Sequence, residues 1–397
     1  MTISAENKKN YRPSDWRFIK LGHLLDIADS GIWGIEDQVN GVSILRSTNF
    51  NNDGSLDFTN LTLRDISESD RRLKLLSPGD ILLERSGGGP KQPVGRVCFF
   101  SDFSKKYYFN NFCQRFRVIN SECFPKYLFW YLYFFHLSGQ TLSYQTQTIG
   151  IRNLEYKNYI QQLIPLPLLN EQKRISAILD KKMDAVNKAL EAAKAQIEVA
   201  IKLQYSYIQD TLKSQLKAYS VSECTEEVST GIGSTWISYP LLGVTRSGLA
   251  PAKEPVGSRP ERYKLADVGT IFYNPMRILI GSIALVDDGD SAGITSPDYV
   301  VIKAKEGILH YRWFYYWLRS SHGERFIKSL ARGAVRERIL YNRLIQGSIE
   351  LPSYESQLIA AEKIAKIKPL IMGIEEQLKY INALPATILR KAFSGGF

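Results

Sequence analysis

The sequence predicts an α+β chain. Two similar globular α/β domains are separated by a pair of long antiparallel helices, an intramolecular coiled coil, and a pseudo-two-fold internal repeat relates the copies. Three observations predict this. The chain has 397 residues, too many for one ordinary domain at ~150 residues each. Short strings recur in one order at an offset of about 184–190 residues. Two long stretches, one per copy, carry apolar residues in alternating steps of three and four.

Taken along the chain, Leu75–Ser86 (LLSPGDILLERS) matches Leu265–Arg277 (LADVGTIFYNPMR), with Gly79-Asp80-Ile81 against Gly269-Thr270-Ile271. A small-residue turn and a β-rich piece follow in each: Pro93–Phe99 (PVGRVCF) against Ile280–Val286 (IGSIALV). Arg115–Ile119 (RFRVI) then matches Tyr299–Lys303 (YVVIK), and the aromatic run Tyr127–Leu132 (YLFWYL) matches Tyr311–Leu318 (YRWFYYWL). Ile149–Arg152 (IGIR) matches Gly333–Arg336 (GAVR), Ile164–Pro167 (IPLP) matches Ile349–Pro352 (IELP), and Gln172 matches Gln357. Each copy therefore reads as short β-branched and aromatic strands broken by Gly and Pro, one aromatic helix, a closing strand ending in Pro, and a long helix. The aromatic helix is expected in the core.

After Pro167, Asn170-Glu171-Gln172 reads as an N-cap with acid in the first turn. Apolar or small residues follow at Ile175, Leu179, Met183, Val186, Leu190, Ala193, Ile197, Ala200, Ile208 and Leu212, and neither Gly nor Pro falls between Asn170 and Lys217. The second copy has Ile364, Ile367, Ile371, Ile374, Leu378, Ile381 and Ile388, with Pro385 on a core position. This is a heptad seam. The first helix would span roughly 70 Å at ~1.5 Å per residue. Pro369 and Pro385 should kink or end the second locally. Two such helices can bury their seams against each other. Antiparallel pairing is favoured because each copy enters its helix from its own globule. The expected partition is 1–168 and 218–352 for the globules, 169–217 and 353–397 for the helices.

With 44% hydrophobic and 23% charged residues the chain has a globular composition, which argues against long disorder. No apolar run reaches the ~20 residues a membrane span needs. The longest, Phe124–Leu137 (FPKYLFWYLYFFHL), contains Lys126 and His136 and reads as a buried helix. The first fifteen residues are polar and lack a signal-peptide core, so a soluble cytoplasmic protein is expected. Cys98, Cys113, Cys123 and Cys224 form no C-x-x-C, and His23, His136, His310 and His322 form no pair at helical spacing. Buried thiols in a reducing compartment are expected rather than a zinc site. The net charge of +11 favours a polyanionic partner.

Catalytic motifs are missing. There is no G-x-x-x-x-G-K-[ST] loop. Gly87-Gly88-Gly89 is followed by Pro90 where a phosphate-cradling helix would begin, so a flexible loop is expected there. Asn274-Pro275-Met276-Arg277 is reminiscent of the Asn-Pro-Pro-aromatic motif of amino-methyltransferases but lacks the aromatic that stacks on a flipped base. Pro297-Asp298 precedes Lys303 and Lys305 without the second carboxylate of a metal-dependent nuclease, and no acid cluster offers a metal site. No cofactor and no catalytic residue are expected.

The order of globule, long helix beginning Pro-Leu-Leu-Asn-Glu-Gln, second globule and second long helix resembles the specificity subunit of type I restriction–modification enzymes. The residues that carry the resemblance are Ile164–Ile175 (IPLPLLNEQKRI), the two repeats, Asn274–Val301 (NPMR…GSIA…ITSPDYVV) and Leu389–Gly395 (LRKAFSG). It covers essentially the whole chain. In the second copy Ser356 stands where the first has Glu171. The resemblance implies that each globule is a target recognition domain reading one half of a bipartite site in double-stranded DNA. It implies that the helix pair acts as a ruler and as the docking surface for two adenine methyltransferase subunits. Restriction subunits then join, and the specificity chain itself does no catalysis.

The readers are expected on polar loops, where Arg, Lys and Gln can approach base edges. In the first globule these are Arg85, Lys91 and Gln92, with Gln145 and Gln147. In the second they are Arg246, Lys253, Arg259, Arg277, Arg332 and Arg336. Two other readings compete. A self-contained methyltransferase or nuclease fragment would need a cofactor motif. A non-DNA coiled-coil scaffold explains the helices but not the duplicated basic globules.

Overall fold

A computed structural model describes residues 16–89, 92–102, 104–148, 151–331 and 338–396. The chain divides into two compact units, residues 1–191 with 378–397 and residues 192–377. Each unit holds one globule and a part of both long helices.

In the first unit, Arg17–Lys20 pairs antiparallel with Leu163–Leu166, so the strand that enters the globule lies beside the one that leaves it. In the second, Lys217–Ser220 pairs in the same way with Ser348–Leu351. The first globule's main sheet runs in the order Leu25–Ser30, Cys113–Val118, Ile81–Glu84, Val97–Phe99. The second has Thr225–Glu227, Val300–Ala304, Thr270–Tyr273, Ile283–Leu285, and every pair in both sheets is antiparallel. The strings matched in the sequence fall on equivalent strands.

The turn before Ile81–Glu84 and its counterpart before Thr270–Tyr273 show why the match holds. Gly79 and Gly269 both take a left-handed backbone, at φ +97° and +86°. Such a φ is open to glycine at little cost. The Gly79 amide donates to Phe100 O at 2.9 Å and the Gly269 amide to Val286 O at 2.8 Å. Each turn thus starts the same hairpin.

Each sheet is covered by its aromatic helix. Pro125–Leu137 buries Tyr127, Leu128, Phe129, Trp130 and Leu132. Tyr311–Leu318 buries Trp313, Phe314, Trp317 and Leu318. Large buried side chains of this kind contribute ~1.5–3 kcal/mol each.

The long helices are Leu169–Thr211 and Tyr354–Phe393. In the first unit Ile175, Leu179 and Met183 share one apolar cluster with Ile388, Leu389, Ala392 and Phe393. In the second, Ile208 and Leu212 share theirs with Ala360 and Ile364. Within each unit the start of one helix meets the end of the other, so the pair is antiparallel. Among the seam residues, Ile175, Leu179, Val186, Ile364, Ile367 and Ile374 are buried. Leu190, Ile197, Ile371, Leu378 and Ile381 are half-buried.

A polar bracket joins each long helix to its globule. Gln172 and Gln357 are fully buried. Gln172 Nε2 donates to Glu122 O at 3.1 Å and Pro167 O at 2.8 Å, and Oε1 accepts from the Phe124 amide at 2.8 Å. Gln357 Nε2 donates to Ile308 O and Pro352 O, both at 3.1 Å, and Oε1 accepts from the His310 amide at 2.9 Å.

Several expectations are corrected. The central helix begins at Leu169, so Asn170 lies inside it and is not the cap. It ends at Thr211 rather than Lys217, because Lys217 opens the strand that pairs with Ser348–Leu351. No Gly or Pro marks that stop in the sequence, and tertiary pairing sets it. Pro369 and Pro385 do not end the C-terminal helix, which continues to Phe393. A proline removes one donor, and the buried Ile364, Ile367 and Ile374 hold the flanking turns. Ser353 caps that helix, its Oγ accepting from the Ser356 amide at 3.2 Å. The glycines of the expected flexible loop form a strand, Ser86–Gly88, paired with Ile151–Leu154. Gln145 and Gln147 also lie in a strand, Gln145–Thr148, and not in a loop. The matched strings at Ile149 and Gly150 and at Gly333–Arg336 lie outside the described residues.

The last helical turn is part of the first globule. Phe393 packs on Tyr127, Tyr131 and Phe134 with ring centroids 5.6, 5.2 and 5.6 Å apart. Phe393→Ala should destabilise the first unit by about 3 kcal/mol through the lost burial and the cavity left. Hydrogen exchange should then quicken across Pro125–Leu137 and stay unchanged across Tyr311–Leu318. Equal effects on both helices would show that the terminus does not belong to the first globule alone.

Candidate nucleic-acid interface

In the first globule Glu84 ends the inner strand Ile81–Glu84, where it is buried. Arg96 meets it with two hydrogen bonds of 2.8 Å, Nε to Oε2 and Nη2 to Oε1. Bidentate pairs of this kind are the strong ones. Arg96 also donates to Phe50 O and Ser47 O, both at 2.9 Å. Burial opposes the Arg96 charge, and the Glu84 carboxylate outweighs it and holds the guanidinium above its ordinary range. Arg96 thus ties the short turn Ser47–Asn49 to the strand Ile81–Glu84. Asn49 fixes the turn from its other side, donating to Asp57 O and Asn60 O and accepting from the Arg46 amide.

Between these pieces lies an open polar cleft of about 430 Å³, lined by Ser47, Thr48, Asn51, Asn52, Gly87–Gly89, Gln92, Glu84 and Arg96. Gly88 could not be larger: a Cβ there would meet Gln92 O at 2.7 Å. Gly88 is thus packed tightly against Gln92 and Val94, and Gly87 beside it is exposed.

The second globule has a cleft of about 360 Å³ at the equivalent place, after the strand Thr270–Tyr273. Asn274 Oδ1 accepts from the Met276 amide at 2.9 Å, and the Arg277 amide donates to Asn274 O at 2.9 Å. This tight turn aims Arg277 at the cleft. The opposite wall is the hairpin Leu242–Thr245 with Gly248–Pro251 and the Ala252–Pro255 segment that follows. Lys253, Thr245, Asn274, Arg277 and Ser296 line it.

The structure thus brings Lys253 and Arg277 together and places Gln92 in the first cleft. It does not gather the others. Arg85 donates to Gln114 Oε1 at 3.3 Å and lies over the Tyr156 ring at 5.3 Å. Gln145 Nε2 donates to Val94 O at 3.1 Å. Arg246 is at the hairpin turn and lines a different cavity, with Tyr315, Tyr316, Arg319 and Lys368. Arg259 is exposed on the loop before Pro260–Arg262. The backbone of Gln147 pairs with Arg152. Lys91, Arg332 and Arg336 lie outside the described residues. Sequence reasoning missed Ser47, Thr48, Asn51 and Asn52. Their Ser/Thr/Asn run was a legible turn signal, but nothing local showed that it folds back against the glycines. Among the described residues no group of three His, Cys, Asp or Glu could hold a metal ion. No helix among them is long and apolar enough to cross a membrane.

His136 stands behind the first cleft, 3.3 Å from Thr141 Oγ1. Burial first, and the Arg96 charge second, push its pKa down to about 4 from an ordinary 6.5. The unfolded chain takes up this proton near pH 6.5 and the folded chain near pH 4. Its contribution to stability is therefore complete above the first value and lost as pH falls to the second. Of order 2 kcal/mol should disappear across that window. His136→Gln should flatten this part of the profile in urea unfolding at about pH 7 and about pH 4.5. An equally steep profile in the variant would place the titration elsewhere.

Residues 13–199 match the family model described as the type I restriction modification DNA specificity domain. The chain is 23% identical over 406 residues to the MjaX specificity subunit named for a type I restriction enzyme of Methanocaldococcus jannaschii, covering 96% of this chain and 94% of that one. Two solved structures share the fold at 15% identity. One comes from work on complex assembly and conformational transition of the type I R-M system, with a TM-score of 0.66 over 97% of this chain and 99% of that one. The other is the type I restriction-modification system S subunit from M. genitalium, with a TM-score of 0.53 over 99% of both. The first globule and much of the central helix thus match the DNA specificity domain, and the chain is similar along nearly its full length to a type I specificity subunit.

Proposed function

We propose that this chain is the sequence-reading subunit of a type I restriction–modification complex. Residues 1–168 read one half of a bipartite DNA site and residues 218–352 read the other. The helical stretches 169–217 and 353–397 set the spacing and dock two adenine methyltransferase subunits, through which restriction subunits join. The chain acts in the cytoplasm on double-stranded DNA, and catalysis falls to its partners. The observation that carries this reading is the pair of polar clefts that follow equivalent strands in two copies of one fold and are lined by unlike side chains. A repeated scaffold with unlike clefts suits two readers of unlike half-sites. The net charge of +11 suits a phosphate backbone.

Within the clefts, Gln92, Lys253 and Arg277 are the proposed contacts to DNA. The test starts from a duplex that the chain selects from a random library. Alanine at a base reader should cost ~1–3 kcal/mol and relax one position, whereas alanine at a phosphate contact should weaken all sequences alike and lower the salt slope by about one. Unchanged affinity and selectivity in all three variants would remove the clefts from the interface.

Modularity is a separate expectation. Exchanging residues 1–168 for the first globule of another family member should change one half-site and leave the other intact in the same selection. A change in both halves would mean that the globules do not read independently.

A further inference from the structure

We propose that Gln172 and Gln357 are positioning residues that fix the angle between each reading globule and its long helix, and thereby the half-site spacing the chain accepts. The proposal rests on the DNA-reading function argued above. Each glutamine sits in the first turns of a long helix and is fully buried. Each uses both N–H donors and its carbonyl on backbone atoms of the globule side. The three partners are the segment leading into the aromatic helix, twice, and the carbonyl of the proline that ends the closing strand. A hinge between globule and helix would have to move these segments against one another. One planar amide holds them all.

The bracket is not needed merely to attach the globule. Apolar contacts already do that: Ile175 and Leu179 lie in the first globule's core, and Ala360 and Ile364 in the second's. Apolar contact is non-directional, and a leucine of similar size could fill the same space. Hydrogen bonds are directional and weaken steeply as their angle falls toward ~120°. Three of them converging on one side chain restrict tilt, which apolar packing tolerates. The two brackets agree within a few tenths of an ångström, although two of the three partners differ in sequence: Glu122 and Phe124 in one, Ile308 and His310 in the other, with a proline as the third in each. Spacing is sensitive to such tilt. One added base pair moves a half-site by ~3.4 Å and turns it by roughly 35° about the duplex. A globule free to tilt would accept neighbouring spacings, and a bracketed one rejects them.

The test uses the full chain and a duplex that the wild type selects from a random library. Both half-sites are kept and the spacer is varied by one base pair either way. The wild type should lose about tenfold or more in affinity at either altered spacing, the scale of a mismatched base pair. The Gln172→Leu, Gln357→Leu double variant should lose less than about threefold, while a base change inside a half-site costs it the same factor as wild type. Variants that reject altered spacers as sharply as wild type overturn the proposal. So do variants that lose half-site and spacer selectivity together, since the globules themselves would then be deformed.

If the leucine variant does not unfold cooperatively, Gln172→Glu carries the test. Its carboxylate would face the Glu122 and Pro167 carbonyl oxygens, and a protonated carboxyl restores one donor. Spacer discrimination must then return as pH falls toward about 5 while wild type stays flat, since burial raises a carboxyl pKa. Discrimination that ignores pH overturns the proposal. A wild-type chain that selects no duplex refutes the function itself; a selecting wild type with unaltered variants refutes the bracket alone.

Discussion

The structure depends on one constraint: a long amphipathic helix cannot keep its seam in water. Isolated helices owe little to propensity and most of their stability to packing of the apolar face. Leu169–Thr211 and Tyr354–Phe393 carry such seams along their length. The chain satisfies them twice. In each unit the beginning of one helix and the end of the other close over the same aromatic helix. Neither globule is therefore complete in its own stretch of sequence. The first needs Leu389, Ala392 and Phe393 from the far end of the chain, and the second needs Ile208 from the central helix. Duplication makes this possible, because the same surface on each globule accepts whichever helix end arrives.

That arrangement separates what must stay the same from what can vary. The four-stranded sheet, its turn glycine, the aromatic helix and the buried glutamine recur in both copies, since each touches another recurring part. Away from them the copies diverge. In the first, Val42–Leu45 pairs with Thr62–Asp65 and in parallel with Tyr107–Phe109; in the second, Leu242–Thr245 turns back on Gly248–Pro251, and Gly293–Thr295 pairs with Lys264–Ala266. These parts border the clefts or stand near them. Loops and insertions on a rigid scaffold can change chemistry without changing the core. A reader whose task is to differ from its twin belongs there.

Much of the scaffold was legible in the sequence because its signals are periodic or repeated. The seams, the two aromatic helices and the Gly79/Gly269 turns each announce themselves by spacing and by recurrence. What was not legible depends on pairing with distant residues. The glycine run is a strand because Ile151–Leu154 lies beside it, and no local rule says so. The central helix stops at Thr211 because Lys217 is claimed by Ser348–Leu351 and because the Trp313 indole takes the Thr211 hydroxyl at 2.9 Å. Arg85 was picked for its neighbours in sequence, whereas its neighbours in space are Gln114 and Tyr156. For the clefts, residue type pointed to Gln92, Lys253 and Arg277. In the first cleft Ser47, Thr48, Asn51 and Asn52 come beside Gln92 through the Arg96 contacts to Ser47 and Phe50 and the Asn49 bonds that fix their turn.

The same distinction governs the charge. An excess of basic residues says that a polyanion is a fitting partner and says nothing of which side chains meet it. Arg115 is buried against Asp29 and the Leu73 and Leu75 carbonyls, and Arg312 against Asp287 and Asp288. Arg117 is paired with Asp80, and Arg96 with Glu84. Arginine suits such sites because its planar fork satisfies a carboxylate bidentately and stays charged when buried. These guanidiniums are held inside the globules by the carboxylates they neutralise. They therefore add little net field at the surface, where each counts with its partner as nearly zero. Lys253, Arg259 and Arg277 are exposed instead, with their charge turned to solvent. Of the paired arginines, Arg96 is the one that lines a cleft, and its bond to Glu84 keeps that wall in place.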